Sequence, residues 1–335
     1  MANVQIVDIY NPLVFSGAEQ EAQIELNAFL ASGVMVADPR LTAMATTGGN
    51  TGELPFFKPL GSEEPNYSDD VTGNSSTPNK TTKGVMKYRL ASQNQSWSTM
   101  DLAVDLALQD PVRAITGRVG QYWATALERR LIQSTMGILN DNVANDSSDM
   151  VVSIATDSAS AITDAELVGN DAILDAQQTA GDHQAGFSAI AMHSVVYNRL
   201  RKQQLIDFIR DADNNTLFQM YGNLRVIVDD SLSAIAGAER VTYTTVIFGT
   251  GAITSGMGTV TTPSELHRSP EKGNGGGQAD LYSRRADIVH PLGFEFTSSS
   301  VSGQSATLAE LATAANWSRV WERKSVPICF LQTNG

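Results

Sequence analysis

The chain carries four histidines, one cysteine and a few adjacent carboxylates with which it could do chemistry. None of them stands at a spacing that a reaction needs. His183, His193, His267 and His290 form no His-Glu-x-x-His pair and no Ser/His/Asp arrangement, so each reads as structural. No Gly-x-Ser-x-Gly elbow is present. Cys329 stands alone, which excludes an internal disulfide and a thiolate metal cluster. Gly249-Thr250-Gly251 follows an apolar run as a phosphate loop would, yet the third glycine and a Gly-Lys-Ser/Thr are missing. A tight turn into Ala252-Ile253 accounts for it. Asp211-Ala212-Asp213-Asn214-Asn215 resembles a calcium loop, but Thr216 takes the sixth position and Gly222 the twelfth, where the ion needs Gly and Glu. Asp229-Asp230 reads as a turn cap. The basic positions Arg199, Arg201 and Lys202, and the pair Arg129-Arg130, are too few to grip phosphates and read as ion-pairing or subunit-contact residues. No catalytic residue, metal or cofactor is expected.

The whole-chain balance agrees. A formal net charge of −13 opposes nucleic-acid binding through a basic surface, although a container for DNA could well repel it. The 42% hydrophobic content suits a soluble globular protein with a sizeable core. No stretch approaches the ~18 apolar residues of a membrane span, and the first residues lack the pattern of a signal peptide, so synthesis in the cytoplasm is expected.

With no site to position, the elements themselves carry the information. Residues 1–15 read as an apolar strap, and Ser16-Gly17-Ala18-Glu19 as a capping box that opens a helix over 17–32. From Gly48 to Ser98 the chain has too little apolar matter to fold alone. Glu53–Phe57 and the alternating Val85–Leu90, with Met86, Tyr88 and Leu90 on one face, predict a two-stranded arm with a Gly/Ser/Asn/Thr/Pro tip over 58–82. An isolated ribbon is marginal in water, so something must cover its apolar face, and another subunit is the expected cover. Thr99–Gln109 predicts a short helix. After Asp110-Pro111 comes a stripe of Val112, Ile115, Val119, Tyr122, Trp123, Ala126, Leu127, Leu131, Ser134 and Ile138, a helix of about 45 Å. It reads as a spine. Its Gly117, Gly120 and Gly137 predict close approach of another backbone.

A polar stretch over 142–160 is the best internal boundary, and an α/β pattern follows. A capping box at Thr163–Glu166 predicts a helix to Thr179. Further expectations are strands over Phe187–Met192, Leu224–Asp229, Val241–Phe248, Leu281–His290 and Phe294–Thr297, with helices over Ser194–Gln204 and Leu308–Ala314. One closing strand is predicted from Trp317 to Leu331.

Three strings are more telling than any site: His193–Ile209 followed by Tyr221–Asp230, Arg284–Phe294, and Leu311–Trp317. Together with the element order they resemble the major capsid proteins of tailed bacteriophages with the Hong Kong 97-type fold, over roughly residues 15–335. The resemblance implies an α+β chain divided into an N-terminal arm and helix (1–47), an extended loop (48–98), the spine helix of a peripheral domain (99–150), an axial domain (151–280) and return strands (281–335). It implies self-assembly into pentamers and hexamers of an icosahedral head that encloses double-stranded DNA without sequence-specific contacts. Its partners would be further copies of itself with scaffolding, portal and decoration proteins, and its place the virion. Fewer than fifty residues precede the arm, so a separate scaffolding protein is expected. None of Lys58, Lys80, Lys83 and Lys87 matches the cross-linking lysine of some relatives, and no covalent cross-link is expected.

Phe56, Phe57, Met86, Tyr88, Leu90 and Trp97 are the apolar candidates for subunit contact, with Arg129 and Arg130 as polar ones. On that reading Tyr88→Asp blocks shell formation and leaves a soluble subunit. Two other readings remain: a cellular nanocompartment shell of the same fold, and an α/β enzyme with an unrecognised pocket after Ser160.

Overall fold

A computed structural model describes Phe29 and residues 32–61, 64–101, 111–210 and 216–335, the side chains of 111–117 and 216–217 excepted. The predicted strap, most of the first helix, the helix expected up to Gln109 and the calcium-like loop lie outside the described residues.

The sequence pattern had passed over the chain before the arm. Met35–Ala37 forms a strand parallel to Ile253–Gly258. Helix Pro39–Thr47 follows it, with proline in its first turn and the Asp38 carboxylate accepting from Arg40 N at 2.8 Å. Gly48 and Gly49, at φ +91 and +101, then turn the chain into the arm.

The arm is the expected ribbon. Thr51–Phe57 pairs antiparallel with Lys83–Arg89, and the register sets Leu54 opposite Met86, Gly52 opposite Tyr88 and Phe56 opposite Gly84. Each of the two glycines lies under the ring of its cross-strand partner, where a Cβ would collide with Tyr88 or Phe56. The apolar face is covered from within the chain. Leu54, Met86 and Tyr88 are buried together with Leu41 and Ala45 of the preceding helix and Ile288. In contrast, every described residue of the tip, 58–61 and 64–82, is exposed.

Beyond Leu90 the chain leaves the ribbon. Ala91–Met100 is a ten-residue strand paired along its whole length with Gln278–Asp287, so Thr99 and Met100 end a strand instead of opening a helix. The partner strand, Gln278–Pro291, is the longest in the fold as described. It also pairs with Ser264–Ser269 and Ile253–Gly258, completing a five-stranded sheet.

The spine is helix Pro111–Asn145, 35 residues or about 52 Å. Val119, Trp123, Leu127, Leu131 and Ile138 are buried as the stripe predicts, whereas Tyr122 is 39% exposed. From Leu131 to Asn142 the stripe widens around the helix: Ile132, Thr135, Met136, Leu139 and Asp141 are buried too, because this half runs through the main core. Trp123 Nε1 donates to Ser283 Oγ at 2.8 Å and fastens the spine to the long strand. At the polar end, Asn142 donates to Asp149 Oδ1 at 2.7 Å and accepts from Met150 N at 3.1 Å, turning the chain into strand Val151–Ser153.

The second sheet has eight strands. Its order runs Val151–Ser153, Ile328–Thr333, Val241–Gly249, Phe187–Met192, Leu224–Val228, Thr216–Tyr221, Asp207–Arg210, with Ala234–Ala236 beside Val241–Gly249. Helices Asn170–Gln178 and Ser194–Lys202 bury Ile173, Ala176, Val196 and Leu200 in a second core that includes Phe187, Ile190 and Ile247. The capping box at Thr163–Glu166 is formed, but over a single 3-10 turn; the helix itself starts at Asn170.

The predicted closing strand is two strands. Trp317–Arg319 pairs with Phe294–Phe296, a 3-10 turn occupies Arg323–Ser325, and Ile328–Thr333 enters the large sheet. The buried Arg323 guanidinium explains the break. It donates to Asp149 O at 3.3 Å, Val326 O at 3.2 Å and Thr179 Oγ1 at 2.5 Å, which holds the chain in a turn.

Candidate assembly surfaces

The groups that could do chemistry are spent on structure. His193 Nδ1 accepts from Val195 N at 3.2 Å and Asp230 accepts from Ser194 N at 2.9 Å, so both cap helix Ser194–Lys202. Asp229 accepts from Ser231 N at 2.7 Å, the turn that the sequence suggested. Gly249 to Gly251 is a tight turn, with Gly251 at φ +68. Burial pushes the Cys329 thiol up to about 12 and His290 down to about 4, so the first is a poor nucleophile and the second stays neutral. No group of three metal-ligating side chains occurs among the described residues. No described helix is long and apolar enough to cross a membrane.

Two groups of charged side chains lie where the spine meets its surroundings. Arg285 Nε meets Asp287 Oδ1 at 2.7 Å in the interior, and the charge of Arg130 on the spine also acts on Asp287. Burial raises the Asp287 pKa and the two guanidiniums oppose that rise. The second is a like-charge pair. Glu128 on the spine is half-buried beside Asp229, and burial first, then the Asp229 carboxylate, push it up to about 7.

The exposed surface offers other features. Phe57 at the end of the ribbon is 75% exposed, Leu60 80% and Tyr67 79%. Phe56 is half-buried, edge-on to Trp321 at 6.1 Å, and the two line a groove with Phe57, Pro59 and Val320. Trp97 sits edge-on to Tyr122 at 5.5 Å, on the strand that follows the arm. Leu90 is half-buried against the Met86–Tyr88 cluster. Arg129 is exposed, and Arg130 donates to Ala306 O at 2.9 Å. The sequence candidates thus divide: Met86 and Tyr88 have their faces inside the chain, Phe57 and Arg129 outside it.

A family profile described as major capsid protein 13-like matches residues 8–326. The chain belongs to that family. The major capsid protein of Bacillus phage SPP1 is 32% identical over 335 residues, covering 98% of this chain and 97% of the relative. Among solved structures, the capsid of Ralstonia phage GP4 is similar with a TM-score of 0.58 at 12% identity, over 93% of this chain and 90% of that one. The Cyanophage Pam1 capsid asymmetric unit gives 0.57 at 10% identity, over 88% of each chain. Those likenesses show the fold, which is the Hong Kong 97-type capsid fold. As a major capsid protein the chain is a structural component of the phage virion and not an enzyme.

Burial of Glu128 beside Asp229 is expected to make the stability of this capsid protein depend on pH. In the unfolded chain Glu128 titrates at its ordinary 4.5, and in the folded subunit at about 7. Folding therefore favours the proton, and stability falls as pH rises from 4.5 to 7. The full shift would correspond to about 3 kcal/mol, which partial exposure reduces to about 1 kcal/mol. Glu128→Gln is expected to remove that part of the loss between pH 5 and pH 8, measured as the change in urea midpoint. An unchanged pH dependence would show that neither burial nor the Asp229 carboxylate raises the Glu128 pKa in the folded subunit.

Proposed function

We propose that this capsid protein self-assembles into the pentamers and hexamers of an icosahedral tailed-phage head, which encloses double-stranded DNA without reading its sequence. The observation that carries the reading is a major-capsid family match spanning residues 8–326. Within the subunit, the eight-stranded sheet would form the axial part that surrounds the symmetry axes. The spine helix and the five-stranded sheet would form the peripheral part, and the arm with its exposed tip the extended loop. The net charge of −13 suits a wall that confines DNA without adhering to it. Scaffolding, portal and decoration proteins are the proposed partners.

Light scattering and electron microscopy of the chain, coexpressed with a scaffolding protein, are expected to give closed megadalton shells. A monomer or small oligomer under those conditions would overturn the reading. Particles filled with a protein cargo would transfer it to the nanocompartment alternative, and closed shells from the chain expressed alone would remove the need for scaffolding.

A further inference from the structure

Beside the spine helix lies a cleft of about 540 Å³, and its wall carries Arg118, Arg129 and Arg130 together with Gln93, Tyr122 and Leu308. No carboxylate lines it among the described residues. Arg118 and Arg129 are exposed, and neither has an ionic or hydrogen-bonding partner among the described residues. The buried Nε of Arg130 and the amide nitrogen of Gln93 also lack acceptors. Arg130 already acts on Asp287, but in a chain of net charge −13 the two uncompensated guanidiniums of Arg118 and Arg129 at one concave surface call for an anionic occupant.

The chain carries the complementary surface at the other end of the arm. Glu63, Glu64, Asp69 and Asp70 fall within eight residues of the tip, and no cation occurs between Lys58 and Lys80. Leu60 and Tyr67 flank them, 80% and 79% exposed, and could cover Tyr122 and Leu308, which are 39% and 40% exposed at the cleft. Because every described tip residue is exposed, the tip does not lie in its own chain's cleft. We propose that the arginine-lined cleft receives the acidic arm tip of a neighbouring copy, so that guanidinium–carboxylate pairs fix where each arm lands. The proposal rests on the shell reading and adds to it the contact and its chemistry. The apolar components favour a folded polypeptide tip over a DNA phosphate, which would leave Tyr122 and Leu308 uncovered.

Charge reversal tests it in both directions. Arg118→Glu with Arg129→Glu, and separately Glu64→Lys with Asp70→Lys, are each expected to reduce shell yield by about tenfold or more, because like charges then face each other. Circular dichroism should show the subunits folded, since these side chains are exposed. Combining all four substitutions is expected to restore shells to within a few-fold of the unmutated chain. Unimpaired single reversals, or a combination no better than the worse of them, would overturn the docking. Normal shells that retain less DNA would assign the cleft to phosphates and overturn it equally. If the unmutated chain with its scaffolding protein forms no shells, the shell reading falls and the docking with it. Shells from the unmutated chain with unrescued reversals reject the docking alone.

Discussion

Gly137→Leu is expected to lower the stability of the subunit by about 3 kcal/mol and to remove most of the soluble protein. Gly137 lies in the half of the spine helix that passes through the core, where another part of the chain crosses it. A Cβ built there would overlap the Leu311 carbonyl oxygen and the Trp317 indole. Those groups are bonded to each other, with Trp317 Nε1 donating to Leu311 O at 2.7 Å in a buried setting. The leucine would therefore overfill a packed core, at about 1–3 kcal/mol, and part a buried donor from its acceptor, at about 1–3 kcal/mol more. Higher helix propensity offsets roughly 1 kcal/mol of this. Gly169→Ala is the control. A Cβ at Gly169 meets nothing within 4 Å, and the change is expected to stay within about 1 kcal/mol. Urea denaturation of the two variants checks both values; equal stability would mean that the helix can shift away from Leu311 without loss.

Gly137 also shows what kind of information the sequence holds. Glycine in a helix interior is unfavourable by itself, so it signals contact, and the contact is there. The strands Phe187–Met192 and Val241–Gly249 were legible for a similar reason: they are apolar runs largely buried in the large sheet, and Leu224–Val228, buried at Leu224 and Ile227, is a shorter one. Ala91–Met100 was not. Its sequence, ASQNQSWSTM, faces inward with Gln93, Gln95 and Trp97, residues that a hydrophobicity pattern passes over. Ile253–Gly258 and Ser264–Ser269 are similarly polar, and they are strands because Gln278–Pro291 provides a long template to pair with. The closing segment failed in the opposite direction. Alternation at Val320, Glu322 and Lys324 imitates a strand, and only the three-dimensional position of Asp149 and Thr179 reveals that Arg323 bends the chain there.

The same reasoning limits what the sequence could say about the assembly surface. Alternation at Met86, Tyr88 and Leu90 states that one face of the arm must be covered, without naming the cover. Helix Pro39–Thr47 and the long strand supply it, and the apolar residues left for a neighbour are those around Phe57 and the tip. Arg129 carried no signal beyond its charge, because a concave cluster with Arg118 forms only when the helix is placed beside Gln93 and Leu308.

Tyr88→Asp and Phe57→Asp should consequently give different defects, although both replace an aromatic residue of the same ribbon. Tyr88 is 7% exposed, its ring lies over Gly52, and burial raises the pKa of its hydroxyl. Removing the ring leaves a cavity among Leu41, Met86 and Ile288 at about 3–5 kcal/mol, and the new carboxylate must either lose solvent or open the cluster. The expected product is a destabilised, poorly soluble subunit, not the soluble and assembly-defective one that the sequence suggested. Phe57, 75% exposed, is expected to tolerate aspartate within about 1 kcal/mol of subunit stability. Its effect belongs to the shell: if the end of the ribbon is buried against a neighbouring copy, one desolvated charge per subunit, repeated at every contact, should reduce shell yield by tenfold or more (about 1.4 kcal/mol per decade). Urea midpoints separate the two variants in the free subunit, and light scattering separates them in assembly. Normal shells from Phe57→Asp would exclude the end of the ribbon from the interface and leave the tip beyond Lys58 as the part of the arm that can still reach a neighbour.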